Sequence, residues 1–152
     1  MHPHLAFALC TWFGLGKLKP APGSWGSLGA LPFAWGLQIL GGPWLLLAAA
    51  VVISLLAFWA IDAFLRKWPG EDPGEVVIDE VAGQWLTLAF VPPDWQLYLI
   101  GFVVFRLLDV TKPWPASWAD RELPGAGGVL VDDLFAGLYG LLAMLLLLQF
   151  WG

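Results

Sequence analysis

Two long apolar stretches constrain this chain more than anything else in it. From Trp44 to Leu65 the only charge is Asp62, and from Leu134 to Trp151 there is none. They run to 22 and 18 residues, against the roughly 20 that a helix needs to cross the hydrocarbon of a bilayer. Both are read as spanning helices. A backbone in lipid must satisfy its own hydrogen bonds, so the expected fold class is all-α, a multi-pass membrane helical bundle. Composition agrees: 59% of residues are hydrophobic and 12% charged, where soluble proteins carry roughly 25% charge. Trp25, Trp44, Trp68, Trp114 and Trp151 sit beside Pro or Gly at segment ends, and Trp95 lies two residues after Pro93, as suits a ring that meets apolar chains and headgroups together.

Several function classes fall away. A net charge of −5 offers no basic footprint for nucleic acid. The single Cys10 excludes an internal disulfide, and no Cys/His cluster has zinc-ligand spacing. The start, MHPHLAFALCTWFG, has no Lys or Arg before its apolar run and is read as retained, not as a signal peptide. His2 and His4, so near the terminus, are read as incidental. The 152 residues are expected to form one domain, residues 1–152. An oligomer is compatible with this pattern but not indicated by it.

Shorter runs fill in the bundle. Val81 to Val91 and Trp95 to Leu108 flank Pro92-Pro93-Asp94 and read as a helical hairpin. Leu28 to Leu40 ends at Gly41-Gly42-Pro43 and is short for a span, so tilted or re-entrant helices are expected. Leu5 to Phe13 reads as interfacial, and Glu71-Asp72-Pro73-Gly74-Glu75 as a loop. All seven basic residues, Lys17, Lys19, Arg66, Lys67, Arg106, Lys112 and Arg121, avoid the turns at 41–43 and 92–94 and the C-terminus. Threading the chain up and down puts every basic loop on one side, which the positive-inside rule makes cytoplasmic. The same threading gathers the polar stretches 14–27, 71–80 and 106–133 at that face.

Ionisable groups bordering an apolar core point to function. Asp79-Glu80 lies in VVIDEVAGQW, Arg106 and Asp109 in GFVVFRLLDVTKPWP, and Asp132-Asp133 in GVLVDDLFAG. Asp132 alone reads equally well as a helix N-cap. As a set, five carboxylates beside Arg106 and Lys112 repel one another unless a cation joins them, and oxygen ligands suit a hard ion such as Mg²⁺. Arg106 and Asp109, three apart, share a helix face, and Lys112 precedes Pro113 near that helix's end. Gly83 and Gly137 each follow an acid by four residues. They would let backbones approach, although either alone is an ordinary packing glycine and the recurrence itself reads as coincidence. Two glycine-rich loops, 14–27 and 124–128, are expected ahead of helices, where Lys17, Ser24 and Ser27 would meet phosphate oxygens or simply form turns. Cysteine, aspartyl-nucleophile and histidine phosphatase motifs are missing, leaving metal-activated water as the nucleophile.

These motifs converge. PAPGSWGSL, VVIDEVAGQW, FVVFRLLDVTKPWP, the Asp120-Arg121 pair and GAGGVLVDDLFAG, in that order from about Phe13 to Gly137, resemble the phosphatidylglycerophosphatase A family. The resemblance implies a compact helical, Mg²⁺-dependent enzyme of the bacterial inner membrane. Its expected reaction hydrolyses phosphatidylglycerophosphate to phosphatidylglycerol and inorganic phosphate in phospholipid biosynthesis. It points to Asp79, Glu80, Asp109, Asp132 and Asp133 as the acidic site, with Arg106 and Lys112 alongside. On this reading Asp79, Asp109, Asp132 and Asp133 hold the metal, Glu80 is the base with Asp79 and Asp133 also catalytic, and Arg106, Lys112, Lys17, Ser24 and Ser27 bind substrate. The alternatives are an intramembrane aspartyl protease and a small transporter or membrane subunit.

Overall fold

The computed structural model describes residues 3–67 and 75–151, and the described residues are helical with no strand. Positions 71–74 of the expected acidic loop lie outside them, as does His2. In chain order come α1 (Pro3–Cys10), a 3-10 turn (Leu15–Lys17), α2 (Pro22–Lys67), α3 (Ile78–Leu88), α4 (Trp95–Thr111), α5 (Ala116–Glu122) and α6 (Gly125–Leu148).

The 46-residue α2 is two arms, not one rod. Gly42 has φ 75 and ψ −166, a conformation glycine adopts freely, and the next residue is Pro43, which has no N–H to continue the helical ladder. The first arm runs parallel to α3. Gly26 abuts Val77, Trp85 Nε1 donates to the Ala30 carbonyl at 3.0 Å, and Gln38 meets the end of α3. The second arm returns: Trp44 packs against Phe90 at 5.2 Å, while Phe64 reaches Phe7 at 5.8 Å. Cys10 accepts from the Val77 amide at 2.7 Å, so α1 and the end of α2 lie level with the start of α3. Buried Ala30, Ala34, Ala50, Ala57 and Ala60 line the two arms, and side chains this small let helices pack closely.

α3 spans only 11 residues, about 16 Å at 1.5 Å per residue, and is buried on nearly every side. A helix ending inside an apolar bundle needs partners for its last carbonyls. Gln38 supplies them, its Nε2 lying 3.1 Å from the Leu88 oxygen, 2.9 Å from that of Ala89 and 3.0 Å from that of Val91. The Pro92-Pro93-Asp94 turn is present as expected, with Asp94 capping α4 through the amides of Gln96 (2.8 Å) and Leu97 (3.1 Å).

Two local expectations need correction. The stretch 124–128 is not a loop ahead of a helix but the start of α6 itself. Gly125 turns the corner at φ 59, and a Cβ on Gly128 would fall 2.2 Å from the Leu123 carbonyl oxygen. Asp132 therefore lies two turns inside α6 and caps nothing. The recurrence of glycine four residues after an acid also has a physical basis. A Cβ on Gly137 would lie 2.6 Å from the Gly83 carbonyl oxygen, and one on Gly83 would lie 2.7 Å from that of Asp133. The α3 and α6 backbones touch there, and the Thr87 hydroxyl sits between the Gly83 and Gly137 carbonyls at 3.1 and 3.2 Å.

α2 and α6 are long and apolar enough to cross a membrane. Large apolar side chains such as Val52, Trp59, Val103, Leu107, Leu142 and Leu146 face outward, far more than a monomer in water exposes. Replacing Gly137 by alanine is expected to lower stability by about 1–3 kcal/mol, the usual cost of overpacking, because backbone faces it on the far side. Thermal unfolding in detergent checks this; an unchanged midpoint would show that the crossing is looser than described.

Candidate active site

The helix directions bring the ends that carry charge to one end of the bundle. Asp79 and Glu80 occupy the first turn of α3, Arg106 and Asp109 the last turns of α4 with Lys112 as its C-cap, and Asp132 and Asp133 the inner turns of α6. The Gly83–Gly137 contact lies one turn below, drawing the acidic pairs of α3 and α6 together. Lys112 takes the left-handed conformation (φ 49), its amide closing on the Leu108 carbonyl at 2.9 Å, and Pro113 follows. Its side chain turns back into the bundle as a result.

Asp79, Asp132 and Asp133 each present an oxygen within 4.8 Å of the others, and Glu80, Asp109 and Asp133 do the same. Asp133 belongs to both groups. Arg106 is hydrogen-bonded to Asp109 and lies 3.6 Å from Glu80 Oε1. Lys112 Nζ is 2.5 Å from Asp132 Oδ2 and 3.8 Å from Asp120 Oδ1. Burial opposes the charge on Lys112, but the hydrogen bond and charge of Asp132, helped by Asp120 and Asp109, hold its pKa above the ordinary lysine value. Among the described residues, Asp79 and Asp133 meet no Lys or Arg at ion-pair distance.

A cavity of about 360 Å³ opens among these groups, lined by Asp79, Glu80, Asp109, Lys112, Asp120, Asp132 and Asp133 with Val76, Val110 and Val129. Buried carboxylate oxygens around it lack any hydrogen-bond donor: Asp79 Oδ1, Glu80 Oε2, Asp132 Oδ1 and Asp133 Oδ2. Desolvated, unpaired oxygens of this kind are costly. Their donor set is oxygen only, the chemistry of a hard divalent cation. The residues present therefore fit a divalent metal, and Arg106 and Lys112 beside it fit an anion that the metal would also bind.

Seven sequence-expected residues meet here: Asp79, Glu80, Arg106, Asp109, Lys112, Asp132 and Asp133. Arg106 reaches the cavity only through its pairing with Asp109 and Glu80, and three further expected residues do not line it. Lys17 is exposed, its ammonium 4.7 Å from the Phe7 ring, Ser24 is half-buried, and Ser27 is fully buried with its hydroxyl unpartnered. The 14–27 stretch reaches the site through Gly23 instead. A Cβ there would lie 2.7 Å from Glu80 Oε1 and 2.9 Å from Arg106 Nη2, so the first turn of α2 seats directly on this ion pair. Sequence reasoning also missed Asp120 as a lining residue. It stood in the Asp120-Arg121 motif, but only the fold of α5 carries it to the rim.

Comparisons with known proteins bear on the family. Residues 8–148 match the family model described as Phosphatidylglycerophosphatase A. The chain is 38% identical over 131 residues, 85% of its length and 75% of the relative's, to the protein of that name in Escherichia coli (strain K12). It is 32% identical over 144 residues, 94% of its length and 88% of the relative's, to the protein of the same name in Haemophilus influenzae. A Bacteroides thetaiotaomicron relative, 35% identical over 85% of this chain and 84% of its own, bears the name "Putative phosphatidylinositol-3-phosphatase". No solved structure matches. A model match across nearly the whole chain and relatives covered over three quarters or more of their length place this protein in the phosphatidylglycerophosphatase A family.

Proposed function

We propose that this protein removes the terminal phosphate of phosphatidylglycerophosphate, giving phosphatidylglycerol and inorganic phosphate, in a Mg²⁺-dependent reaction at the surface of the bacterial inner membrane. One observation carries the reading: carboxylates from α3, α4 and α6 surround a single cavity with unpartnered oxygens, flanked by one arginine and one lysine. Family membership supplies the lipid. The apolar outer surface and the two helices of spanning length support a multi-pass arrangement. Helix directions that put the basic ends together support a cytoplasmic site.

Asp79, Asp109, Asp132 and Asp133 are the residues that would hold Mg²⁺. When bound, the ion supplies Lewis acidity, polarising the phosphoryl oxygens and making nearby water more acidic. The protein's own groups do the rest. Arg106 and Lys112, now paired with Asp109, Glu80 and Asp132, turn to the phosphate and balance the charge that grows on its oxygens. Glu80 keeps Oε1 toward Arg106 and has Oε2 without a donor, so Oε2 is the atom placed to accept a proton from the attacking water. Gly23 leaves space for the Glu80–Arg106 pair against α2. The expectation that Lys17, Ser24 and Ser27 reach the phosphate gains nothing from the lining of the cavity. The protease and transporter alternatives gain nothing from the comparisons, whose names are all phosphatases.

Detergent-purified protein should release phosphate from phosphatidylglycerophosphate with a higher kcat/KM than from phosphatidic acid or phosphatidylinositol 3-phosphate, and only with Mg²⁺ present. Undiminished release in excess EDTA, or none from phosphatidylglycerophosphate, would refute the reading. Asp79→Asn should lower kcat by at least about 100-fold, the upper end of the loss seen when a group supporting a metal is removed, while the protein still inserts and folds. Arg106→Lys keeps the charge and loses the planar fork. It should raise KM for the lipid phosphate roughly 10-fold or more, the effect of about one charge-assisted hydrogen bond; wild-type kinetics would remove Arg106 from phosphate binding.

A further inference from the structure

We propose that the acidic cluster holds two divalent cations side by side, with Asp133 shared between them. The proposal rests on the phosphatase reading only for its consequence, since cation number is measurable apart from turnover. Two groups of three oxygens each gather within 4.8 Å, one from Asp79, Asp132 and Asp133 and the other from Glu80, Asp109 and Asp133. The groups have no other member in common. A carboxylate has two oxygens and can offer one to each side, and Asp133, 2% exposed on the inner face of α6, stands where both groups meet.

Independent of the clustering, each group contains buried oxygens without a donor. The residues of the first group carry Asp79 Oδ1, Asp132 Oδ1 and Asp133 Oδ2, and those of the second carry Glu80 Oε2 with Asp133 Oδ2 again. With two ions bound, Glu80 is a ligand and not the free proton acceptor of the single-ion reading. All four of these residues line the cavity. A single ion at one group would leave the unpartnered oxygens of the other buried and unsatisfied.

Charge points the same way. The six acids that line the cavity, Asp120 included, outnumber Arg106 and Lys112 by four charges. One divalent ion leaves the cluster net negative, repelling a phosphate dianion, whereas a second makes it neutral and removes that repulsion. Each group also carries its own basic side chain, Lys112 on Asp132 and Arg106 on Asp109 and Glu80. A phosphate lying across the pair would meet one basic residue from each half. Paired ions sharing a carboxylate are suited to an in-line displacement, in which attacking and leaving oxygens both need charge stabilisation.

Mn²⁺ is the probe, since it takes the same oxygen ligands as Mg²⁺ and reports its surroundings by electron paramagnetic resonance. Equilibrium dialysis of the full chain in detergent should give two Mn²⁺ per chain, with a spin-coupled spectrum at saturation. Asp79→Asn and Asp109→Asn should each lower the count from two to one and leave an uncoupled ion; Asp133→Asn should abolish the coupled signal. Helical circular dichroism and gel-filtration profiles identify any variant that fails to fold, and the wild-type count decides the matter without them. Saturation at one Mn²⁺, two ions without coupling, full counts in both Asp79→Asn and Asp109→Asn, or no binding would each overturn the pair. Phosphatase activity with a single ion would overturn only the pair, and a coupled pair without phosphatase activity would overturn only the functional reading.

Discussion

Mutual repulsion among carboxylates buried in an apolar bundle is the constraint on which the rest of this structure depends. Asp79, Asp109, Asp132 and Asp133 are each at least nine-tenths buried, and in such surroundings like charges a few ångströms apart interact far more strongly than in water. The fold holds them together through the bare backbone contact of Gly83 with Gly137 and the Thr87 hydroxyl between the two carbonyls. Arg106 and Lys112 offset part of the charge from α4. What remains unbalanced, oxygens without donors facing one cavity, is the property a metal-dependent phosphatase needs.

The same constraint explains why α3 is short and central. It must end inside the bundle so that its first turn can present Asp79 and Glu80 at the charged end, yet its own C-terminal carbonyls then lie in apolar surroundings. Gln38, reaching over from α2, places its two amide N–H donors within hydrogen-bond distance of three carbonyls there. The reversal at Gly42 places Gln38 and the first arm alongside α3 while the second arm returns to the charged end. Structure far from the chemistry is thus arranged around the burial of one 11-residue helix.

Much of this was legible in the sequence. Helical class, the turns at 41–43 and 92–94, the charged end and the seven residues that meet at the site follow from apolar run length, proline and glycine punctuation, and the placement of charge. Short-range chemistry of that kind is written locally. What escaped depended on contacts between segments distant in sequence. Gln38 sits in an otherwise apolar run and has meaning only once Leu88 to Val91 lie beside it. Gly23 resembles any loop glycine until the Glu80–Arg106 pair packs on it. Hydroxyls near a helix start, such as those of Ser24 and Ser27, suit phosphate in general, but the helix begins at Pro22 and turns Ser27 into the core. The glycines at 125–128 suggest a loop, whereas they open α6, and at Gly128 the close approach of α5 leaves no room for a side chain.

The account's central claim is that these acids form a metal site and not merely a strained set of buried charges. Anomalous X-ray scattering from crystals of the protein grown with Mn²⁺ tests it most directly. The account predicts anomalous density inside the cavity, within coordinating distance of Asp133 and of the acids on α3 and α4. Crystals of active protein with no anomalous density among these carboxylates, or with density only elsewhere on the molecule, would contradict it.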